Sequence, residues 1–272
     1  MEEAIYNFVG HKTTLSDLIA IGSLIATRFT ILVFMCPFLG GRLVPPESKM
    51  GIAVMLTILG FRYSVDHMTG PLEINPIAYL IFMFKEVFVG FAIGFVSAEI
   101  FYAMDIAGRT LDVMRGSNMT EVQVPELQFR ASPFGDFMFQ LLLMAFIALG
   151  GHAIFIEAMM ESLAVVPIDA LPSFSHGFDS WVDHILKYSS DLYAIAFALV
   201  FPGVFATFMV DLMFGMLNRV APQLNAYFMA MAVKPLGGMM MFAFSMTFLM
   251  AELARQAEQM IVHVRHTLSL FQ

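Results

Sequence analysis

Charge is scarce in this sequence, and cysteine and tryptophan are nearly absent. Cys36 is the only cysteine, which excludes an intramolecular disulfide framework and any site built from several thiolates. It stands in an apolar run, where a small thiol reads as buried filler. Of the 272 residues only 13% are charged, with 14 Lys and Arg against 22 Asp and Glu and a net charge of -8. Neutralising phosphates takes clustered bases, and these are spread along the chain, so nucleic acid is excluded as a partner. Also missing are a P-loop, a GxSxG elbow and an HExxH pair, so nothing points to nucleotide hydrolysis or proteolysis. His176, Asp179, Asp183 and His184 carry metal-ligand chemistry, but no ligand spacing joins them and they read as a solvated connection. No catalytic residue, cofactor or metal is expected.

What the chain does have is apolar surface. Hydrophobic residues make up 59% of it and the mean hydropathy is +0.77, more than a water-soluble fold of this length can hide. Lipid or a large protein partner must take the place of water. Residues 1–17 carry Glu2, Glu3 and Asp17 against Lys12 and lack the basic start and short apolar core of a cleaved signal peptide, so insertion is expected to use the apolar segments themselves.

Six such segments read as helices, near residues 18–40, 50–61, 77–104, 137–166, 192–217 and 220–251. The runs 137–156 and 192–210 contain no Asp, Glu, Lys or Arg and are the clearest spans of a hydrocarbon layer ~30 Å thick. The others are compromised: Arg28 interrupts the first, Lys85, Glu86 and Glu99 fall in the third, Lys234 and Pro235 divide the sixth, and the second is too short to span alone. A central charge costs roughly 2.5 to 3.5 kcal/mol on the insertion scale, so these residues should face protein or a water-filled path.

The most polar stretch, residues 105–136, holds Arg109, Asp112, Arg115, Glu121, Glu126 and Arg130, punctuated by Gly108, Gly116, Pro125 and Pro133, and reads as a long loop. A second connection, 167–190, contains Trp181, a residue that often sits at headgroup level. The stretch 252–266, with helical charge spacing at Glu252 and Arg255, predicts a solvated C-terminal helix, so that 252–272 is a polar tail. Basic residues occur in the 41–49 connection, the central loop and the tail, which cannot all lie on one side if every segment spans.

In KEVFVGFAIGF, Glu86, Gly90 and Gly94 lie at helical spacing, and the two glycines form a small-xxx-small pattern that admits a close helix. Alone the pattern reads as ordinary packing within the chain. The 24 methionines, with Met239 to Met241 in one run, offer adaptable apolar surface and read individually as filler.

Three stretches carry a family resemblance. DIAGRTLDVMRGSNMTEVQVPELQFRASPFGDF, residues 105–137, is similar to the AG-x-x-x-D-x-x-RG element of type III export-gate subunits. NRVAPQLNAYFMAMAVKP, residues 218–235, resembles their R-x-APQLN...K element. Between them GGHAIFIEAMMESLAVVP, residues 150–167, is similar to the family's Gly-Gly-His followed by Ser and Pro, and Pro37 and Pro45 after Arg28 fit its N-terminal region. On these residues the chain is identified as a member of the FliR/SpaR/SctT family, and AGRTLDVMRG matches the injectisome branch better than the flagellar one, whereas Ala226 and Tyr227 are small departures.

The resemblance implies an all-α, multi-pass protein of the bacterial inner membrane, with hydrophobic hairpins and broken helices, forming a single domain over 1–272. It implies a single copy joined to FliP/SctR-like and FliQ/SctS-like subunits, and to an FlhB/SctU-like subunit, in a hetero-oligomeric helical cone around the pore for unfolded secreted proteins. It places a pore plug in the 105–136 loop, with Gly108 and Gly116 for bending and Asp112 and Arg115 as a pair. It implies assembly contacts at Glu86, Gly90, Gly94, Arg219, Pro222, Gln223, Asn225 and Lys234, with Lys85 beside Glu86 in a contact between subunits. The rival class is a small secondary transporter or an ion-translocating membrane subunit, which would also show intramembrane charges and broken helices. No inverted repeat is visible, and a transporter would purify without hetero-partners.

Overall fold

The computed structural model describes residues 15–41, 44–68, 70, 75–116, 132–173, 177–223 and 225–271. They form eight helices and no strand: α1 Leu15–Met35, α2 Pro37–Gly40, α3 Pro46–Asp66, α4 Pro76–Met114, α5 Pro133–Ala148, α6 Gly151–Val165, α7 Phe178–Val220 and α8 Ala226–Ser269. Prolines open α2, α3, α4 and α5, where a missing N–H and a fixed φ cost nothing. Asp17 and Glu47 lie in the first turns of α1 and α3, beside the positive end of the helix dipole.

Four helices, α1, α4, α7 and α8, are long and apolar enough to cross a membrane, and α5 with α6 makes a fifth if that broken pair is one span. The 137–166 segment is therefore not one straight helix. Gly150 takes a φ of 73°, a left-handed conformation suited to glycine, and stops α5 from running into α6. With 16 and 15 residues, each half reaches only ~24 Å. The second apolar segment extends to 21 residues as α3 but is too polar to qualify.

Four further expectations are corrected. Residues 105–114 are not loop: α4 continues through them because Ala103, Ala107 and Leu111, one helical turn apart, are buried, while Arg109 pairs with Asp105 at 3.0 Å on the same helix. Pro235 does not divide the last helix, for α8 runs through it as α7 runs through Pro202. The stretch from residue 252 is helical but not solvated all round. Leu253, Ala257, Met260, Val264 and Leu268 recur at three- and four-residue steps and are buried, giving the end of α8 an apolar face. The connection 167–190 likewise gives way to α7 at Phe178.

The chain gathers into two compact units. One is drawn from 1–98, 150–187 and 258–272, the other from 99–149 and 188–257. In the first, α1 lies between α3 and the early part of α4. Cβ atoms at Gly90 and Gly94 would stand 2.8 Å from the Arg28 carbonyl oxygen and 3.0 Å from Met35 Cβ, so both glycines serve close approach to α1 of the same chain. In the second, Phe101 packs edge-on against Phe146 with centroids 5.8 Å apart, and Phe134 against Phe242 at 5.0 Å. A methyl at Gly203 would meet Leu111 at 2.8 Å.

Candidate functional site

Within the second unit, the end of α4 and the start of α5 close on one carboxylate. Asp112 pairs through Oδ1 with Arg115 Nη2 one turn later. Its Oδ2 accepts from Ser132 Oγ at 2.7 Å and from the Phe134 N–H at 2.9 Å. Asp112, Arg115 and Ser132 are all buried. Ser132 also accepts from the Gly135 N–H at 3.2 Å and so caps α5 with the same side chain that holds Asp112. The Arg115 guanidinium lies over the Phe134 ring, 4.1 Å from its centroid.

Gly108 makes this junction possible, though not by bending. It is inside α4, and a Cβ there would stand 2.4 Å from the Phe134 carbonyl oxygen. Gly116 is the residue that turns, with a φ of 80° directly after the helix. Residues 117–131, with Glu121, Pro125, Glu126 and Arg130, lie outside the described residues, so of the stretch expected to form the plug the structure describes the residues at its two ends. Ser132, Phe134 and Gly238, whose Cβ would meet Arg115 Cδ at 2.9 Å, were not singled out in the sequence. The Ser-Pro pair opening an apolar helix is the one local signal for Ser132.

The other assembly candidates fall into two groups. Arg219, Pro222, Gln223 and Asn225 occupy the turn between α7 and α8 and are exposed. Pro222 stands in the gap where α7 has ended and α8 has not begun, and Arg219 lies in the last turn of α7. Glu86, Gly90, Gly94 and Lys234, by contrast, meet their partners inside the chain. Lys234 reaches Asp211 of α7 at 2.5 Å.

Glu86 belongs to a buried hub in the first unit. Its carboxylate takes both Nε and Nη2 of Arg28, the latter at 3.0 Å, and Lys85 Nζ at 2.7 Å. Arg28 also donates to the carbonyls of Ser162 and Val166 at 2.6 and 2.7 Å. Lys85 donates to those of Pro167, Ile168 and Ala170 at 2.7 to 3.1 Å. The two cations thus satisfy the carbonyls at and beyond the end of α6, where the helix dipole favours positive charge. A charge that would be costly alone in an apolar helix is matched here on every side. Burial pushes the Cys36 thiol up to about 12, although Ser97 Oγ lies 3.2 Å away.

Among the described residues no group of three or more His, Cys, Asp or Glu could hold a metal ion; His176 lies outside them.

Comparison with known proteins accounts for this arrangement of membrane helices around two motif-bearing junctions. The flagellar biosynthetic protein FliR of Bacillus subtilis is 27% identical over 219 residues, which cover 80% of this chain and 83% of that one. Yop proteins translocation protein T of Yersinia pestis is 29% identical over 164 residues, 60% and 62% of the two chains. The secretion system apparatus protein SsaT of Salmonella typhimurium is 32% identical over 149 residues, 55% and 56%. Flagellar and injectisome proteins thus both stand among the relatives, and in the two injectisome cases the match spans less than two thirds of the relative. The family described as bacterial export proteins, family 1, matches from residue 19 to residue 260, taking in both motif-bearing junctions and all the candidate spans almost whole. The chain accordingly belongs to that family, the FliR/SpaR/SctT proteins of the type III export apparatus, as a multi-pass subunit of the bacterial inner membrane.

Proposed function

We propose that this chain is the single-copy export-gate subunit that joins FliP/SctR-like, FliQ/SctS-like and FlhB/SctU-like proteins in a helical cone, and that the segment between Gly116 and Ser132 plugs the pore through which unfolded secreted proteins pass. The observation that carries the reading is the Asp112 junction. One buried carboxylate gathers donors from both ends of the segment, so the segment leaves and re-enters the fold at a fixed base. The base coincides with the AG-x-x-x-D-x-x-RG element of the family. A plug needs such a base, because a segment that must yield to a passing chain and then return has to be held at its root.

Exposed apolar side chains supply the surface such an assembly requires. Phe201, Phe205 and Phe208 on α7 and Leu236, Phe244 and Phe248 on α8 are among the large hydrophobic residues that the chain leaves uncovered, to be met by partner helices or lipid. The exposed turn at Arg219, Pro222, Gln223 and Asn225 is the polar assembly contact of this reading.

The test is ionic leak. In co-expressed complexes, deletion of residues 110–122 makes the membrane permeable to small ions. Asp112→Ala, which removes the base while keeping the segment, does so to a lesser degree. Unchanged conductance in fully assembled complexes carrying either change contradicts the plug.

A further inference from the structure

Away from both ion-pair sites, the first unit joins the start of α7 to the end of α8 through aromatic side chains. His184 packs on His266 with ring centroids 4.3 Å apart and stands 5.6 Å from His263. His263 and His266, three residues apart on α8, share a face. His184 bonds the backbone of His263, while its Nε2 is buried with no hydrogen-bond partner among the described residues, so Nδ1 makes that bond.

The titratable groups that bear on His184 across the contact are His263 and His266. Its neighbours on α7, Asp183 and Lys187, are exposed, and Arg265 of α8 is turned to Glu157 and Glu161 of α6 at 3.9 and 3.6 Å. From α4 the side chain presented is Phe88, against Trp181. The three imidazoles pack on one another and form no group able to hold a metal.

We propose that this three-histidine contact is an acid-sensitive latch holding the end of α8 on the start of α7. Imidazole is the side chain that gains charge between about pH 8 and 5. A proton added to His184 Nε2 makes a buried N–H with no acceptor among the described residues, and it sets a cation against the rings of His263 and His266. Both effects favour separation. Closed, the latch keeps the chain end in place: Leu268 and Phe271 are buried, and the Phe271 carbonyl accepts from the Ser173 N–H at 3.1 Å. The latch is shut at neutral pH and opens as the pH falls.

Trp181, the only tryptophan, lies one turn before His184. Its ring is 5.2 Å from Phe88, 5.5 Å from Phe178 and 6.2 Å from Phe271, so its emission reports directly on the contact. The experiment is a fluorescence titration of the full-length chain, in its detergent-extracted complex with partner subunits whose tryptophans are replaced by phenylalanine, from pH 8 to pH 3.5. The expected result is a red shift of Trp181 emission on acidification that reverses on return to pH 8 and is absent in His184→Phe, which keeps the ring packing and removes the proton site. Should that variant not assemble, His184→Gln, which retains a donor for the His263 backbone, gives the same reading. An equal red shift in the variant, or quenching without a red shift in the parent chain, overturns the proposal.

Discussion

Two buried arginine–carboxylate pairs organise this chain, and they tie together very different lengths of it. Arg28 reaches Glu86, Ser162 and Val166, joining α1, α4 and the end of α6. Arg115, just past the end of α4, meets Asp112 one turn earlier, and Asp112 in turn reaches Ser132 and Phe134. The first pair cross-links remote helices and holds a fold; the second fixes the two ends of one segment. Buried charges are expensive wherever they sit, so burial alone does not tell a cross-link between remote helices from a pair that closes one segment. The separation in sequence between the partners does.

The comparison predicts unequal consequences. The largest is at the hub. Glu86→Ala leaves two buried cations without their carboxylate, and breaking a buried pair in this way costs about 3 to 5 kcal/mol. The variant is expected to vanish from the membrane fraction, and recovery at the parental level would remove the hub from its structural role. Asp112→Ala takes the acceptor from Ser132 Oγ, the Phe134 N–H and Arg115 Nη2. The effect on folding is expected to be smaller, about 1 to 3 kcal/mol for buried donors left without their acceptor, so that assembled complexes form and the leak described above is measurable.

At Arg219 the expected effect moves from stability to association. The side chain is exposed, so Arg219→Ala should leave the amount of membrane-inserted chain within about twofold, in line with the small cost of most surface substitutions, while lowering the yield of intact complex. Equal yield of complex would make the turn a simple hairpin connection. The smallest effect is at Cys36. Its buried thiol, pushed up to about 12, stays protonated at pH 8, and the thiolate is the reactive form. Maleimide should leave it unmodified in the folded chain and label it after denaturation, and rapid labelling of the native chain would show that this part of the first unit is open.

Much of this was legible in the sequence, through chemistry that acts locally. The charge-free run 192–210 gave away α7, and the order of the family elements gave the class. What was not legible was decided by partners far along the chain. Glu86 and the small-xxx-small glycines suggest a helix partner but do not name it; the partner is α1, and only the fold brings Arg28 to that position. Residues 105–114 look like loop because they carry three charges, yet all three pair along the helix or at its end while Ala107 and Leu111 are buried. The apolar face of 252–268 was hidden by the charges on its other sides. Ser132 was missed because a lone Ser-Pro pair does not reveal that a carboxylate twenty residues earlier needs its hydroxyl.

The most direct test of the account is the mass of the particle this chain enters. Co-expressed with FliP/SctR-like and FliQ/SctS-like proteins and extracted in detergent, it should be recovered as one copy within a large hetero-assembly, with little stable product when the partners are left out. A stable monomer or homo-oligomer formed without them would contradict the export-gate reading and favour a transporter.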